Sequence, residues 1–92
     1  MKIYAQIHRI ENEQSFNEGK FITKIVVLKT LEQYSQVIPI QFENDKIKLL
    51  EGFTVGQSVE VEYNLRGKEY TKQDGTISCF ITLAGWKIEK TK

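Results

Sequence analysis

The strongest constraint on the fold is the strict alternation of apolar and polar residues in VEVEYNL, residues 59–65. Successive side chains of a β-strand point to opposite faces of the sheet, so this period of two predicts a strand with one buried face. The same pattern recurs over residues 77–83, with apolar side chains at Ile77, Cys79, Ile81 and Leu83. Asp74-Gly75 lies between the two segments and predicts a hairpin turn in which glycine supplies a positive φ.

Two strands are predicted near the start of the chain. Residues 3–8, IYAQIH, alternate apolar and polar side chains, as a half-buried strand does. A polar run over residues 11–19 breaks the pattern. The next segment, KFITKIVVLKT, is rich in β-branched residues and predicts a second strand over residues 20–30.

A third strand and a short helix are predicted in the middle of the chain. VIPIQF indicates extended structure over about residues 36–43, and Pro39, which lacks an amide hydrogen, belongs at an edge or beside a bulge. In ENDKIKLLEGF, Asn44 or Asp45 can accept hydrogen bonds from the first helical turn, and Gly52 can end the helix in a left-handed conformation. We therefore expect a helix near residues 45–51.

The predicted order is three strands, a helix and a two-stranded hairpin. A five-stranded sheet of this size has exposed edges unless it closes, and a helix between strands 3 and 4 can cover the open end of the resulting barrel. This is the layout of the OB-fold. We predict an all-β, five-stranded Greek-key barrel, and a single domain over residues 1–92, because two separate cores would each be too small.

The last strand is predicted to continue past a β-bulge at Ala84-Gly85. Trp86 and Ile88 carry on the apolar pattern one residue out of phase. Trp86 is therefore expected to be a core residue that closes the barrel. Cys79 is expected to be a buried small hydrophobe.

The composition argues against several classes of function. Thirteen Lys and Arg against twelve Asp and Glu give a net charge of +1, so binding of a polyanion must depend on where the charges lie. One cysteine and one histidine provide neither a disulfide nor a metal cluster, and no catalytic constellation accompanies Glu60 and Glu62. We expect no enzymatic activity, no cofactor, no metal and no small-molecule substrate. Without a secretory signal or a long apolar segment, we expect a cytoplasmic protein that does not enter the membrane.

The segment FENDKIKLLEGFTVGQSVEVEYNLRGKEYTKQDG, residues 42–75, resembles bacterial single-stranded-DNA-binding proteins. In those proteins a Phe ending strand 3 is followed by a helix, a Gly before strand 4, a Leu-Arg, and a basic turn that carries an aromatic residue. The compact layout, with AGWKIEK near its end, also resembles a small OB-domain family of unknown function found mainly in Bacteroidetes, which is DUF3127-like.

This resemblance implies positions for stacking aromatic residues. Tyr34 lies near a family aromatic before strand 3, Phe42 matches the aromatic at the end of that strand, and Tyr70 matches the aromatic of the loop between strands 4 and 5. Three cations surround Tyr70, namely Arg66, Lys68 and Lys72. The family's usual tryptophans are tyrosines here.

The residues themselves support the same function. Flat rings that stack on bases and cations that contact phosphates are what a binder of single strands needs. Lys20 from the loop before strand 2 and Lys24 from the strand itself belong to the predicted site. Phe80 completes it, because it is predicted to lie on the face of its strand opposite to the apolar residues. Glu69 and Asp74 reduce the charge of the basic loop to roughly +1, which favours weak binding. We predict a module for single-stranded DNA, or RNA, with little sequence preference.

Several alternatives stay open from sequence alone. Tyr70 either stacks on a base or packs on its own hairpin, and Phe42 suits the core better than a surface. Phe80 suits a dimer interface equally well. The basic loop alone would be read as a solvated hairpin. An OB-fold that mediates protein interaction or homo-oligomeric assembly, without nucleic acid, is the competing function.

Overall fold

The computed structural model describes residues 1–91, which form six strands and a short 3₁₀ helix. In chain order these are β1 (Lys2–Ile10), β2 (Gln14–Phe16), β3 (Phe21–Thr30), β4 (Val37–Glu43), the 3₁₀ helix (Asn44–Leu50), β5 (Ser58–Thr71) and β6 (Ile77–Lys90). The five predicted strands are therefore confirmed. Strand β2 was missed, because its three residues are all exposed and carry no apolar alternation.

The strands close into a barrel because β1, at one end of the strand order β1-β5-β6-β4-β3, also pairs with β3 at the other end. It is antiparallel to β5 on one side and to β3 on the other. Strand β3 pairs with β4, and β5 pairs with β6. Gln41 of β4 lies beside Ala84 of β6 and completes the ring, while β2 is attached to β3 outside it. This connectivity confirms the all-β barrel of OB type.

The seam between β4 and β6 is short, and Pro39 lies beside it. Pro39 pairs with Val27 of β3 on one side. Across the seam, Gln41 and Ala84 form the one residue pair that joins β4 to β6 within residues 1–91. Since proline has no N–H to donate, it suits a strand with a single paired edge. This agrees with the edge position expected for Pro39.

The core consists of the inward side chains of the barrel strands. Alternate residues of each strand face this interior, as the period of two requires. Leu50 of the 3₁₀ helix is also buried in this cluster, so the helix covers one end of the barrel as predicted. The largest fully buried side chains are Phe42, Ile7, Leu28, Ile40, Val26, Val59 and Val61.

The helix begins differently from the prediction. Asn44 has a positive φ of 49°, and its Oδ1 accepts a hydrogen bond of 3.0 Å from the backbone N–H of Ile22. The side chain thus ties the helix to β3 and does not cap the helical amides, and no side-chain cap is present. Gly52 has the predicted left-handed conformation, with φ of 85°. No helix within residues 1–91 combines the length and hydropathy needed to cross a bilayer.

The hairpin of β5 and β6 extends past the barrel. The strands pair from Val59 opposite Lys90 as far as Thr71 opposite Ile77. Gly75 has the predicted positive φ, at 89°. Within residues 1–91, no second layer covers either face over the outer part of this hairpin, so Ile77, Cys79 and Ile81 are exposed. The prediction that they are buried was wrong, although Leu83, nearer the barrel, is half-buried.

A β-bulge interrupts β6 next to the predicted position. Glu62 pairs with Lys87 and Tyr63 pairs with Gly85, so Trp86 is the extra residue. A bulge re-aims the side chain that it inserts. Trp86 is 40% exposed on the outside of the barrel, which corrects the prediction that it closes the core. Gly85, which precedes it, lies against the ring of Phe42.

Candidate nucleic-acid interface

Strand alternation brings the predicted binding residues onto one face of the hairpin. Arg66, Lys68 and Tyr70 are alternate residues of β5, so their side chains project on the same side. Their partners across the hairpin are Thr82, Phe80 and Ser78. Phe80 therefore lies directly opposite Lys68 and diagonally from Tyr70, as cross-strand neighbours that can touch.

The two rings and the lysine form a compact group. The ring centroids of Tyr70 and Phe80 are 5.4 Å apart, with an interplanar angle of 71°, which is an edge-to-face arrangement. Lys68 Nζ lies 5.1 Å from the centroid of the Tyr70 ring. An aromatic pair of this kind adds about 0.5–1.5 kcal/mol and an exposed cation–π contact about 0.5–1 kcal/mol. The rings hold each other in place while Tyr70 stays 47% exposed and Phe80 55% exposed.

These side chains line a groove of about 510 Å³ between the hairpin and the end of β4, which we call the hairpin groove. An ion pair joins its two walls, with Arg66 Nη1 2.8 Å from Glu43 Oε1. Gln41 Nε2 donates to the other oxygen of Glu43 at 2.7 Å. The lining residues are Gln41, Glu43, Arg66, Gly67, Lys68, Tyr70, Phe80 and Thr82.

The acid that reduces the charge of the groove is not one of those predicted. Glu69 projects from the opposite face of the hairpin, because it is adjacent in sequence to Lys68 and Tyr70. Asp74 caps the turn, where a hydrogen bond of 2.8 Å from the Thr76 backbone N–H to Oδ1 holds the pKa of this carboxyl below its usual value. Glu43 lies in the groove instead, so two cations and one carboxylate leave a formal charge of +1.

The other predicted residues lie outside the hairpin groove. Lys72 is exposed in the turn at the tip of the hairpin, and Lys20 is exposed in the turn before β3. Lys24 borders a separate hollow near the helix, with Glu13 and Glu51 among its lining residues. Tyr34 is 78% exposed in the turn before β4. That turn is at the opposite end of β4 from Glu43, roughly 20 Å away along the strand.

Phe42 is the one predicted stacking residue that the structure buries completely. Its side chain is 0% exposed and belongs to the barrel core. The ring cannot reach a base without opening the barrel. This corrects the prediction that Phe42 stacks on nucleic acid, in favour of the core alternative that the sequence also allowed.

Two relevant residues were missed by the sequence analysis. Glu43 gave no local signal, because its partner Arg66 is 23 positions away in the chain. Trp86 was assigned to the core from its phase with Ile88. In the structure Glu62 pairs with Lys87 and Tyr63 pairs with Gly85, so Trp86 is the inserted residue and turns outward. The small-residue pair Ala84-Gly85 directly before Trp86 is the sequence signal that could have indicated it.

The connectivity of the strands defines the class of fold, the OB-fold proteins. Two crystal structures of Rim1, a mitochondrial single-stranded-DNA-binding protein from S. cerevisiae, are similar to this chain. The first has a TM-score of 0.72 at 18% sequence identity, and the second has a TM-score of 0.61 at 19%. Each comparison covers 100% of this chain and 93% of Rim1. At such low identity the likeness establishes the fold.

The chain belongs to a family whose function is not assigned. Residues 2–89 match the family described as Domain of unknown function (DUF3127). No curated protein matches the sequence. The family membership confirms the resemblance found in the sequence, and the function has to be argued from the site.

Proposed function

We propose that this protein is a non-catalytic module that binds single-stranded DNA with little sequence preference. The observation that carries the proposal is the group of Tyr70, Phe80 and Lys68 at the hairpin groove, with Arg66 beside it. Exposed rings that are already ordered lose little conformational entropy when a base stacks on them. The similarity to Rim1, a single-stranded-DNA-binding protein by name, supports the same role.

Each residue has a distinct part in this proposal. Tyr70 and Phe80 provide faces for bases, and stacking accepts any base because every base has a π-face. Lys68 and Arg66 contact phosphates. Lys72 at the hairpin tip and Lys20 before β3 extend the positive charge beyond the groove. RNA offers the same bases and phosphates, so this site does not exclude it.

The charge distribution favours weak binding with modest salt dependence. The groove has a formal charge of only +1, because Glu43 neutralises one of its two cations. For single strands, each phosphate contact changes the slope of log K against log salt by about 0.7. Stacking must therefore provide most of the affinity, and occupancy of one strand by several molecules would strengthen it.

Fluorescence anisotropy with a labelled oligo-dT tests the proposal. Tyr70→Ala should weaken binding roughly 5- to 150-fold, the range for loss of one stacked base, and Tyr70→Phe should retain it. Tyr34→Ala is the matched control, because Tyr34 is exposed but lies outside the groove. Absence of binding at tens of micromolar protein in low salt would contradict the proposal, as would equal effects of the two alanine substitutions.

A specific observation favours assembly as a second candidate function. The hairpin face opposite the groove exposes Leu65, Ile77 and Ile81, and Ile81 is 72% exposed. A group of large apolar side chains on an open strand pair is typical of a surface that contacts another protein. Light scattering at several concentrations would test for self-association, since one chain has a mass of 10.7 kDa.

A further inference from the structure

Trp86 lines a second hollow that continues from the hairpin groove. This hollow, of about 300 Å³, shares both Glu43 and Arg66 with the groove. The Arg66–Glu43 ion pair therefore stands between two recesses on one outer surface, with Tyr70 and Phe80 on one side and Trp86 on the other. We call the second recess the bulge hollow. Its lining is Glu43, Asn44, Asp45, Lys46, Asn64, Arg66, Ala84, Gly85 and Trp86.

The bulge is the reason that Trp86 reaches this surface. In a regular strand, Trp86 and Lys87 would point to opposite faces. Lys87 faces outward, with its Nζ 3.8 Å from Glu62 Oε2. Because Trp86 is the inserted residue, it also projects outward, beside Asn64 and Arg66. The largest ring in the chain is thus exposed on the same strand pair that carries Tyr70 and Phe80.

The lining of the bulge hollow suits a base better than a phosphate. Arg66 and Lys46 are balanced by Glu43 and Asp45, so the hollow has no net formal charge. A phosphate gains little from such a site, whereas a base can stack on the indole. Asn64 and Arg66 supply polar groups at its margin that can hydrogen-bond a base edge.

The combined length of the two recesses matches a bound single strand. Asn64 and Tyr70 are six positions apart on β5, which is roughly 20 Å along the strand. At about 3.4 Å per nucleotide step in a stacked strand, this distance corresponds to about six steps. OB-fold proteins cover about 4–16 nucleotides per domain, so one strand can reach both recesses.

We infer that Trp86 is a second base-stacking position, and that a single strand bound in the hairpin groove passes over the Arg66–Glu43 pair to reach it. The inference rests on the proposed function, because it assigns a further subsite to the same strand. It differs from that proposal in placing a base at the bulge of β6, where the sequence predicted a core residue.

The chain provides its own reporter for this inference, because Trp86 is its only tryptophan. A titration with a labelled oligo-dT of about 16 nucleotides, the upper end of the OB site size, gives two signals from one sample. Anisotropy of the label measures binding, and tryptophan emission measures contact at Trp86. We expect emission to be quenched with the same midpoint as the anisotropy change.

The two signals separate the possible failures. Saturating anisotropy with unchanged tryptophan emission would overturn the second stacking position and leave the proposed function intact. Absence of an anisotropy change would overturn the proposed function, and this inference with it. Quenching that follows binding supports both.

Substitutions provide an independent test. Trp86→Ala should weaken binding at least fivefold, whereas Trp86→Phe, which keeps a flat ring, should recover most of the affinity. Thermal unfolding of each variant establishes that the fold is retained. A folded Trp86→Ala protein that binds oligo-dT as tightly as the unchanged chain would overturn the inference. If the alanine variant is unfolded, the emission titration of the unchanged chain decides.

Discussion

The Glu43→Gln substitution is predicted to strengthen binding of single-stranded DNA. A phosphate that contacts Arg66 must compete with the Glu43 carboxylate, whose Oε1 lies 2.8 Å from Arg66 Nη1. Glutamine keeps nearly the same size and a carbonyl oxygen for hydrogen bonding, but it has no charge. The formal charge of the hairpin groove then rises from +1 to +2, because the one carboxylate in its lining is removed.

The size of this effect follows from the exposure of the pair. The Arg66 side chain is 56% exposed and that of Glu43 17%, so solvent screens the attraction strongly. Exposed ion pairs contribute about 0.2–1 kcal/mol, and relief from this competition should tighten binding by about 1.4- to 5-fold. If Arg66 gains one phosphate, the slope of log K against log salt should steepen by about 0.7.

Anisotropy titrations at several salt concentrations measure both quantities. Glu69→Gln is the matched control, since it also removes one negative charge, from the strand that carries Arg66 but on the opposite face of the hairpin. We expect a smaller gain in affinity and an unchanged salt slope for this control. If Glu43→Gln leaves affinity and slope unchanged, or matches Glu69→Gln in both, then Arg66 does not contact phosphate.

Two further predictions concern the fold that carries the site. Gly85→Ala should destabilise the protein by about 1–3 kcal/mol in urea unfolding, as overpacking does, because an added Cβ would lie 2.5 Å from Phe42 Cζ. Gly67→Ala, whose Cβ meets nothing within 4 Å, is the control, and equal stability of the two variants would count against this packing argument. Stability should also fall in acid, because a hydrogen bond from Lys2 is the main cause that holds the pKa of Glu60 below its usual value. A carboxyl whose pKa is lower in the folded state stabilises the fold fully when the pH is above its unfolded-state pKa. This stabilisation is lost as the pH falls through its folded-state pKa. Glu60→Gln should flatten the decline, and superimposable acid unfolding profiles would rule this role out.

The barrel was predictable because its signals are local. The alternation in VEVEYNL, the turn at Asp74-Gly75 and the glycine after the helix each act over a few residues. The structure bears out the strand and both glycine conformations, although Leu65 at the end of the alternation is exposed. Closure followed from the cost of exposed strand edges. Strand β2 was not predictable by these means, since it lies in a polar run and pairs with β3 without a buried face.

The site was only partly predictable, because a period of two assigns side chains to faces without telling what covers each face. The sequence put Lys68 and Tyr70 together in a basic loop, and this was wrong in one respect, because both lie on β5, which runs to Thr71. It gave Ile81 to the core, although the hairpin extends past the barrel there and leaves this residue exposed. Trp86 was misplaced because one inserted residue changes the phase of the strand. Glu43 meets Arg66 through the fold alone, so no local pattern could reveal their ion pair.

The two candidate functions use opposite faces of one hairpin, so a pair of substitutions can separate them. Ile81 pairs with Gly67, next to the pair of Lys68 and Phe80, and its side chain projects away from the aromatic group. Ile81→Thr keeps a β-branched shape and removes apolar surface. We expect it to leave oligo-dT affinity within about twofold, as for surface substitutions outside a binding site.

If the apolar face mediates self-association, Ile81→Thr should lower the mass measured by light scattering, while Tyr70→Ala should leave the mass unchanged and weaken nucleic-acid binding. The independence of the two faces would be refuted if Ile81→Thr weakened oligo-dT binding as much as Tyr70→Ala. Binding of DNA would then depend on assembly through the apolar face, because Ile81 does not line the hairpin groove.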